Sequence, residues 1–198
     1  MVGGRRAEGA ERTRERLVAA AREAFATKGY ANASMDELTA AAGVTRGALY
    51  HAFGDKRGLL RAVIDRIDAE MLERLRAVQA GAPTPWAGLL AEYVAYIEMA
   101  LEPEIQRILL LDGPAVLGDP SQWPNQTACL RRATGLIRAL IDDGTLEPVD
   151  AESAALLLNG ASLTASLWIA AADDPGAVLP KAVDAFRRLA AGLLRREG

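Results

Sequence analysis

Apolar residues along this chain recur at helical spacing, and strand-like alternation is absent. Leu17, Ala21, Ala24 and Phe25 form one stripe of a helix from about Thr13 to Lys28, stopped by Gly29. Ahead of it, residues 1–11 are polar, Gly-rich and charged, which predicts a disordered tail. Arg5 and Arg6 in that tail are either a loose basic arm or a solvated end. Ser34 with Glu37 three residues on is a capping box, so a helix starts at Met35 with Leu38, Ala41 and Ala42 on its apolar side. Gly43 supplies the left-handed residue that ends it. Thr45 then caps a second short helix, Arg46 to Phe53, in which Leu49 and Phe53 join Val44 in the shared core.

Longer elements follow. Asp55 caps a helix reaching about Ala80 through Leu60, Val63, Ile64, Ile67, Met71, Leu75 and Val78. Gly81 to Pro85 ends it. A fifth helix spans Trp86 to Leu101, and Pro103 starts a short sixth through Leu110. Three prolines and two glycines between Asp112 and Pro124 predict an ordered loop anchored by Val116, Leu117 and Trp123. A seventh helix runs from about Asn125 to Asp143. An eighth follows the Asp150 cap to about Ala172, and a ninth runs from the Pro175 turn to about Arg196. The ninth is amphipathic, with Leu179, Val183, Phe186, Leu189, Ala190 and Leu193 opposite Lys181, Asp184, Arg187 and Arg188. The eighth is apolar nearly all round and must be covered on both sides; a second copy of the chain is one way to cover it.

Two short helices joined by a tight Gly turn are a helix-turn-helix, whose second helix fits the DNA major groove. Its outward groups are Thr45, Arg46, Gly47, Tyr50, His51 and Lys56. These are hydroxyls, cations and bare backbone, the groups that meet phosphates and base edges. Arg46 is the candidate for guanine, since its guanidinium can bridge O6 and N7. Gly47 lets the helix approach closely, and Thr45, Tyr50, His51 and Lys56 read as phosphate contacts. Ser34 and Thr13, at helix starts, are either plain caps or further phosphate contacts through backbone N–H groups.

The charge balance supports this division. The net charge is −3, yet residues 1–60 carry ten Lys/Arg against seven Asp/Glu, while the remainder is acidic. A basic first third on an acidic body is a local electrostatic footprint. His51 is the only histidine and lies inside the motif, which argues against a catalytic triad or a histidine-rich metal site. Cys129 is the only cysteine, so no intrachain disulfide forms, and it reads as a core thiol. No Gly-rich phosphate loop and no bilayer-spanning apolar run is read, so the expected location is cytoplasmic, without a membrane partner. No metal and no cofactor are expected, and the chain is not expected to be an enzyme.

Gly29, the Ala41-Ala42-Gly43-Val44 turn, Thr45-Arg46-Gly47, Leu49-Tyr50, Phe53 and Lys56-x-x-Leu59 resemble the DNA-binding domain of the TetR family of ligand-responsive bacterial regulators. The match is dense over residues 12–60; beyond it only an all-helical layout is shared. In that family the positions matching Tyr50 and Lys56 hold phosphates. The resemblance implies an all-α chain with a three-helix DNA-binding domain (residues 12–58). A long fourth helix joins it to a helical ligand-binding and dimerisation domain (residues 59–198). It also implies a homodimer that binds a pseudo-palindromic double-stranded operator as a repressor and is released by a small apolar or aromatic effector. Trp86, Tyr93, Tyr96, Trp123 and Asn159 are the expected lining of the effector cavity, unless they simply fill a packed core. Ala161, Ala165, Phe186 and Leu189 are the expected dimer contacts. The competing reading is a helical small-molecule-binding or catalytic protein without operator binding.

Overall fold

The computed structural model describes residues 2–195, with side chains from residue 7, so Arg5 and Arg6 lie outside the described side chains. Among the described residues the fold is all helical, with one isolated bridge between Leu146 and Leu194. Helix α1 spans Val2–Lys28, which replaces the expected disordered tail with helix. Thr13 is not a cap: its hydroxyl donates back to the Gly9 carbonyl at 3.0 Å, inside the helix.

Helices α2 (Met35–Ala42) and α3 (Arg46–Phe53) form the predicted motif. Ser34 and Thr45 cap them, accepting from the Glu37 and Ala48 N–H groups at 3.1 and 3.2 Å. Between them Gly43 takes φ 61°, where a side chain would be strained, and its N–H closes onto the α2 carbonyls. Leu17, Phe25, Leu38 and Leu49 are fully buried and tie α1, α2 and α3 together. Helix α4 (Lys56–Ala80), capped by Asp55, crosses from this trio into the rest of the chain.

In the second half α5 (Pro85–Glu98) packs on α4, and α7 (Pro124–Asp142), α8 (Ala151–Ala170) and α9 (Pro175–Ala191) pack on α5, with α8 between α7 and α9. Between α5 and α7 the structure departs from the expected loop. After a 3-10 turn at Met99–Leu101, residues 105–112 wind as a π-helix that continues into α6 (Gly113–Leu117). Pro114 has no N–H to give to Leu110, and Gly113 donates five residues back, to Ile108. A side chain on Gly113 would strike the Trp123 ring, with Cβ 2.7 Å away. Glycine and proline therefore shape this segment without breaking it.

Helix α9 stops at Ala191, short of the expected end near Arg196, because the chain turns and pairs with residues 145–147. The Glu147 N–H donates to the Leu193 carbonyl at 2.9 Å, and the Arg195 N–H to Thr145 at 3.0 Å. Helix α8 corrects a second expectation. By length and composition it is apolar enough to cross a bilayer. It is packed instead against α5, α7 and α9, with Ala155, Ser166 and Ile169 buried. Its outer strip carries Leu157 at 72% and Trp168 at 52% exposure.

Candidate functional site

The first face is built by α3. Burial of Leu49 and part-burial of Ala48, Ala52 and Phe53 fix one side of the helix inward, so helical periodicity turns Thr45, Arg46, Gly47, Tyr50 and His51 out, and all five are exposed. Exposed Ser34 adds the start of α2 to the same end of the molecule. The Arg46 guanidinium meets Asp36 on α2 in a fork, with contacts of 2.8 and 3.2 Å. Both partners are exposed, so water screens the pair and it adds little stability. What it fixes is where the guanidinium stands.

Gly47 is informative because the fold does not need it. A Cβ built there meets nothing nearer than the Thr45 hydroxyl at 3.9 Å. Gly58 is the contrast: its Cβ would sit 2.0 Å from the Phe53 carbonyl, so packing alone demands glycine there. Lys56 departs from an outward-reaching cation. Its Nζ lies 4.4 Å from the centroid of the Tyr30 ring and donates to the Ala31 carbonyl at 3.4 Å. Burial lowers its pKa, against the opposing pull of Asp112. Two cations that the sequence reading missed stand beside the motif. Arg14 lies over Phe53 and donates to the Ala52 carbonyl, and Arg16 donates to the Gly43 carbonyl at 3.4 Å. Both sit on α1 in a run of alternating charges, where nothing in the sequence separates a groove-facing arginine from a solvated one.

The second site is a cavity of about 260 Å³ enclosed by α4, α5, α7 and α8. Tyr93, Tyr96 and Asn159 line it as expected, and the Tyr93 hydroxyl donates to Asn159 Oδ1 at 2.5 Å. Trp123 instead borders a smaller adjoining space, and Trp86 lines neither. Burial raises the pKa of both tyrosines and of the Cys129 thiol, which keeps all three neutral. Cys129 lines the cavity; it is not a closed core thiol. Charged residues were missed altogether: Asp65, Asp68, Arg76, Glu92 and Arg132 all contribute to the wall. Arg132 on α7 is held by Glu92 on α5 and by Gln79 on α4, the latter at 2.9 Å. The signal was present, because Asp68 interrupts the Ile64–Ile67–Met71 stripe and Glu92 sits between Leu89 and Tyr93.

Polar bonds join the head to the body. Arg22 on α1 forks onto Glu104 at 2.6 and 2.7 Å and also bonds Glu70 on α4 at 2.9 Å. The Tyr30 N–H donates to Asp112, the last π residue, at 2.7 Å, and Arg57 Nε donates to the Val116 carbonyl at 3.3 Å. Of the residues expected at a dimer contact, Ala161 and Ala165 flank the exposed strip of α8, and Leu189 is exposed at 68%. Phe186 turns inward and packs on Tyr93, with ring centroids 5.4 Å apart.

An exposed recognition helix on a three-helix head, braced to a cavity-bearing helical body, defines a DNA-binding transcription regulator. Residues 17–63 match the family of bacterial regulatory proteins named for tetR, and residues 86–193 match the tetracycline-repressor-like C-terminal domain. This chain belongs to the TetR family. A TetR-family transcriptional regulator from Pectobacterium atrosepticum is 47% identical, with 96% of this chain and 98% of that one superposing at a TM-score of 0.88. The transcriptional repressor BepR of Brucella suis is 34% identical over 105 residues, 52% of this chain and 50% of BepR. This chain thus spans half the length of that relative. RolR in complex with resorcinol shares the fold at a TM-score of 0.66 and 22% identity, covering 97% of this chain and all of RolR. Regulators of this family are non-enzymatic transcription factors.

Proposed function

We propose that this protein is a cytoplasmic repressor that binds a pseudo-palindromic operator as a homodimer and leaves it when a small molecule enters the cavity. The observation that carries the DNA half is α3. Its inner face is locked by Leu49, while Gly47 and Tyr50 face out and Arg46 makes only an exposed pair with Asp36. Arg46 contacts guanine, and Thr45, Tyr50, His51, Lys56 and Ser34 hold phosphates around it. Lys56 reaches a phosphate by swinging from the Tyr30 ring. Two copies paired through α8 and α9 place the recognition helices about one turn of B-DNA apart, ~34–36 Å, or a multiple of it. The leucines and Trp168 on the exposed strip of α8, with Ala161 and Ala165 beside them, supply the self-complementary patch.

The effector half rests on the cavity and its bracing. Helix α4, ~37 Å long at 1.5 Å per residue, begins at the DNA face and forms one wall of the cavity. The working division of the chain is residues 12–58 for the head and 59–198 for the body, which cuts α4 after its first turn. The π segment touches the smaller space through Leu109 and Leu110 and the head through Asp112. An aromatic or apolar effector that binds one arrangement of these elements more tightly than the other shifts operator affinity; equal affinity for both shifts nothing. The small aromatic resorcinol in RolR is consistent with such an effector. The test of the DNA half is Arg46→Ala. It should cost roughly 1–3 kcal/mol at one base pair and relax preference there. Unchanged affinity and unchanged preference would remove Arg46 from the readout.

A further inference from the structure

The charges around the cavity do not balance evenly. At one end Arg132 is paired with Glu92 and bonded to Gln79. Asp68, which borders both the main cavity and the smaller one, has no such partner. One of its oxygens accepts from Asn125 Nδ2 at 2.9 Å, and the other accepts from no group in the described chain. The groups facing it come from four directions. Helix α4 supplies Arg61 and Asp65, α5 supplies Tyr96, and α7 supplies Asn125, Gln126 and Cys129. Helix α8 supplies Leu163 and Ser166, whose hydroxyl is committed to the Ser162 carbonyl at 3.1 Å.

Tyr96 and Cys129 are neutral, and Asp65 has the same sign as Asp68. The cation is Arg61, whose guanidinium lies 5.7 Å from the centroid of the Trp123 ring. Burial, reinforced by Asp65, outweighs Asn125 and Arg61 and pushes the Asp68 carboxyl up to about 6. It is therefore ionised at neutral pH but under-compensated. A second feature marks the same end. Trp123, 6% exposed, borders the smaller space, and its Nε1–H has no acceptor. The second Asp68 oxygen is thus open to a donor from outside the chain, while the Trp123 N–H calls for an acceptor of its own.

We propose that the cavity takes a small organic cation: an aromatic or alicyclic body carrying a protonated amine, with the nitrogen on Asp68 and the body against Met71, Leu72, Leu75, Tyr93 and Leu163. The proposal rests on reading this cavity as the effector site and narrows its ligand from apolar to cationic and apolar. A cation supplies the missing counter-charge where water is scarce and the attraction is weakly screened. The walls Met71, Leu72 and Leu75 reward an apolar body with burial. A carboxylate seated at this end would meet Asp68 and Asp65 and be repelled; the wall's other cation, Arg76, stands eight residues further along α4, ~12 Å at 1.5 Å per residue.

The test uses the full-length protein and three probes sharing one ring system: naphthylmethylamine, naphthylmethanol and naphthoate. Calorimetric titration near pH 7.5 should give an amine affinity at least about tenfold above that of the alcohol, with the naphthoate weakest. Asp68→Asn should abolish the preference, whereas Asp65→Asn, at the more exposed of the two carboxylates, should only reduce it. Below pH ~6 the amine affinity of the unaltered protein should fall by up to about tenfold per pH unit as Asp68 takes up its proton, and that slope should vanish in Asp68→Asn. Alcohol or naphthoate binding as tightly as the amine would overturn the proposal. So would a preference retained in Asp68→Asn, or no binding of any probe up to millimolar concentration. Operator affinity measured on the same samples separates the two readings. Amine bound on Asp68 with operator affinity unchanged leaves the ligand class standing and refutes the effector role.

Discussion

Replacing Asp68 by asparagine is expected to stabilise the protein, and to do so only where the native carboxylate is charged. Asparagine has nearly the same shape, and its carbonyl can still accept from Asn125. In the native chain the Asp68 pKa stands at about 6 against the ordinary 3.8. Below about pH 4 the group is protonated in both folded and unfolded chains, and it costs nothing. Between about 4 and 6 the folded chain binds the extra proton, so folding weakens as the pH rises. Above 6 the full cost is present, on the order of 2–3 kcal/mol at ~1.4 kcal/mol for each tenfold in proton affinity. Urea unfolding of both proteins at one fixed protomer concentration, from pH 4.5 to 8, measures the difference directly. The gap should narrow to about 1 kcal/mol at pH 4.5, with Asp68→Asn ahead by roughly 2–3 kcal/mol at pH 8. A pH-independent difference, or a less stable variant at pH 8, would show that Asp68 is adequately compensated and would undo the electrostatic argument. The expected result also has a functional meaning, since a carboxylate that costs stability at neutral pH is what a binding site contains and a plain core does not.

Three other outcomes are expected. Gly47→Ala should raise stability by up to ~0.5–1 kcal/mol, because open space surrounds the new methyl and alanine is the better helix former, yet weaken operator binding; thermal unfolding and a gel-shift titration read the two effects separately, and undiminished binding would show that close approach at Gly47 is not used. Arg22→Ala should cost ~1–3 kcal/mol in urea unfolding, since it strands the Glu104 carboxylate between head and body, while Glu70 keeps Arg66; Arg188→Ala, which removes an exposed pair with Asp184, is the control and should change little. Ala165→Glu should give monomers in sedimentation velocity with greatly weakened operator binding; dimers of normal affinity would move the interface off α8.

The head of the molecule was readable because each of its signals is local. A Ser34 cap, a Gly43 stop and a Thr45 cap fall within twelve residues, and each fixes backbone within a few residues. The body was readable only as helices. Asp68 and Glu92 break apolar stripes in plain view, but the groups that turn the breaks into a site, Asn125 and Arg132, lie 57 and 40 residues further on. Which tryptophan lines a cavity depends on inter-helix packing, which helical periodicity does not encode; Trp86 and Trp123 were misplaced for that reason. Phe186 fell on the inner edge of the α9 stripe and Leu189 on the outer, a difference of one helical turn that sequence spacing cannot resolve. The π segment escaped because its cause is pairwise: Pro114 withholds a donor, and Trp123 leaves room for no side chain at Gly113.

The central claim is that two copies of α3 read a symmetric operator. The most direct measurement is selection of bound sequences from random duplex DNA by the full-length protein, followed by the same selection with Arg46→Ala. The account predicts a pseudo-palindrome whose half-site centres lie about 10 base pairs apart, or a multiple of that, with a guanine in each half-site that becomes indifferent in the variant. Recovery of no preferred sequence, or of a palindrome unaltered by Arg46→Ala, would contradict it.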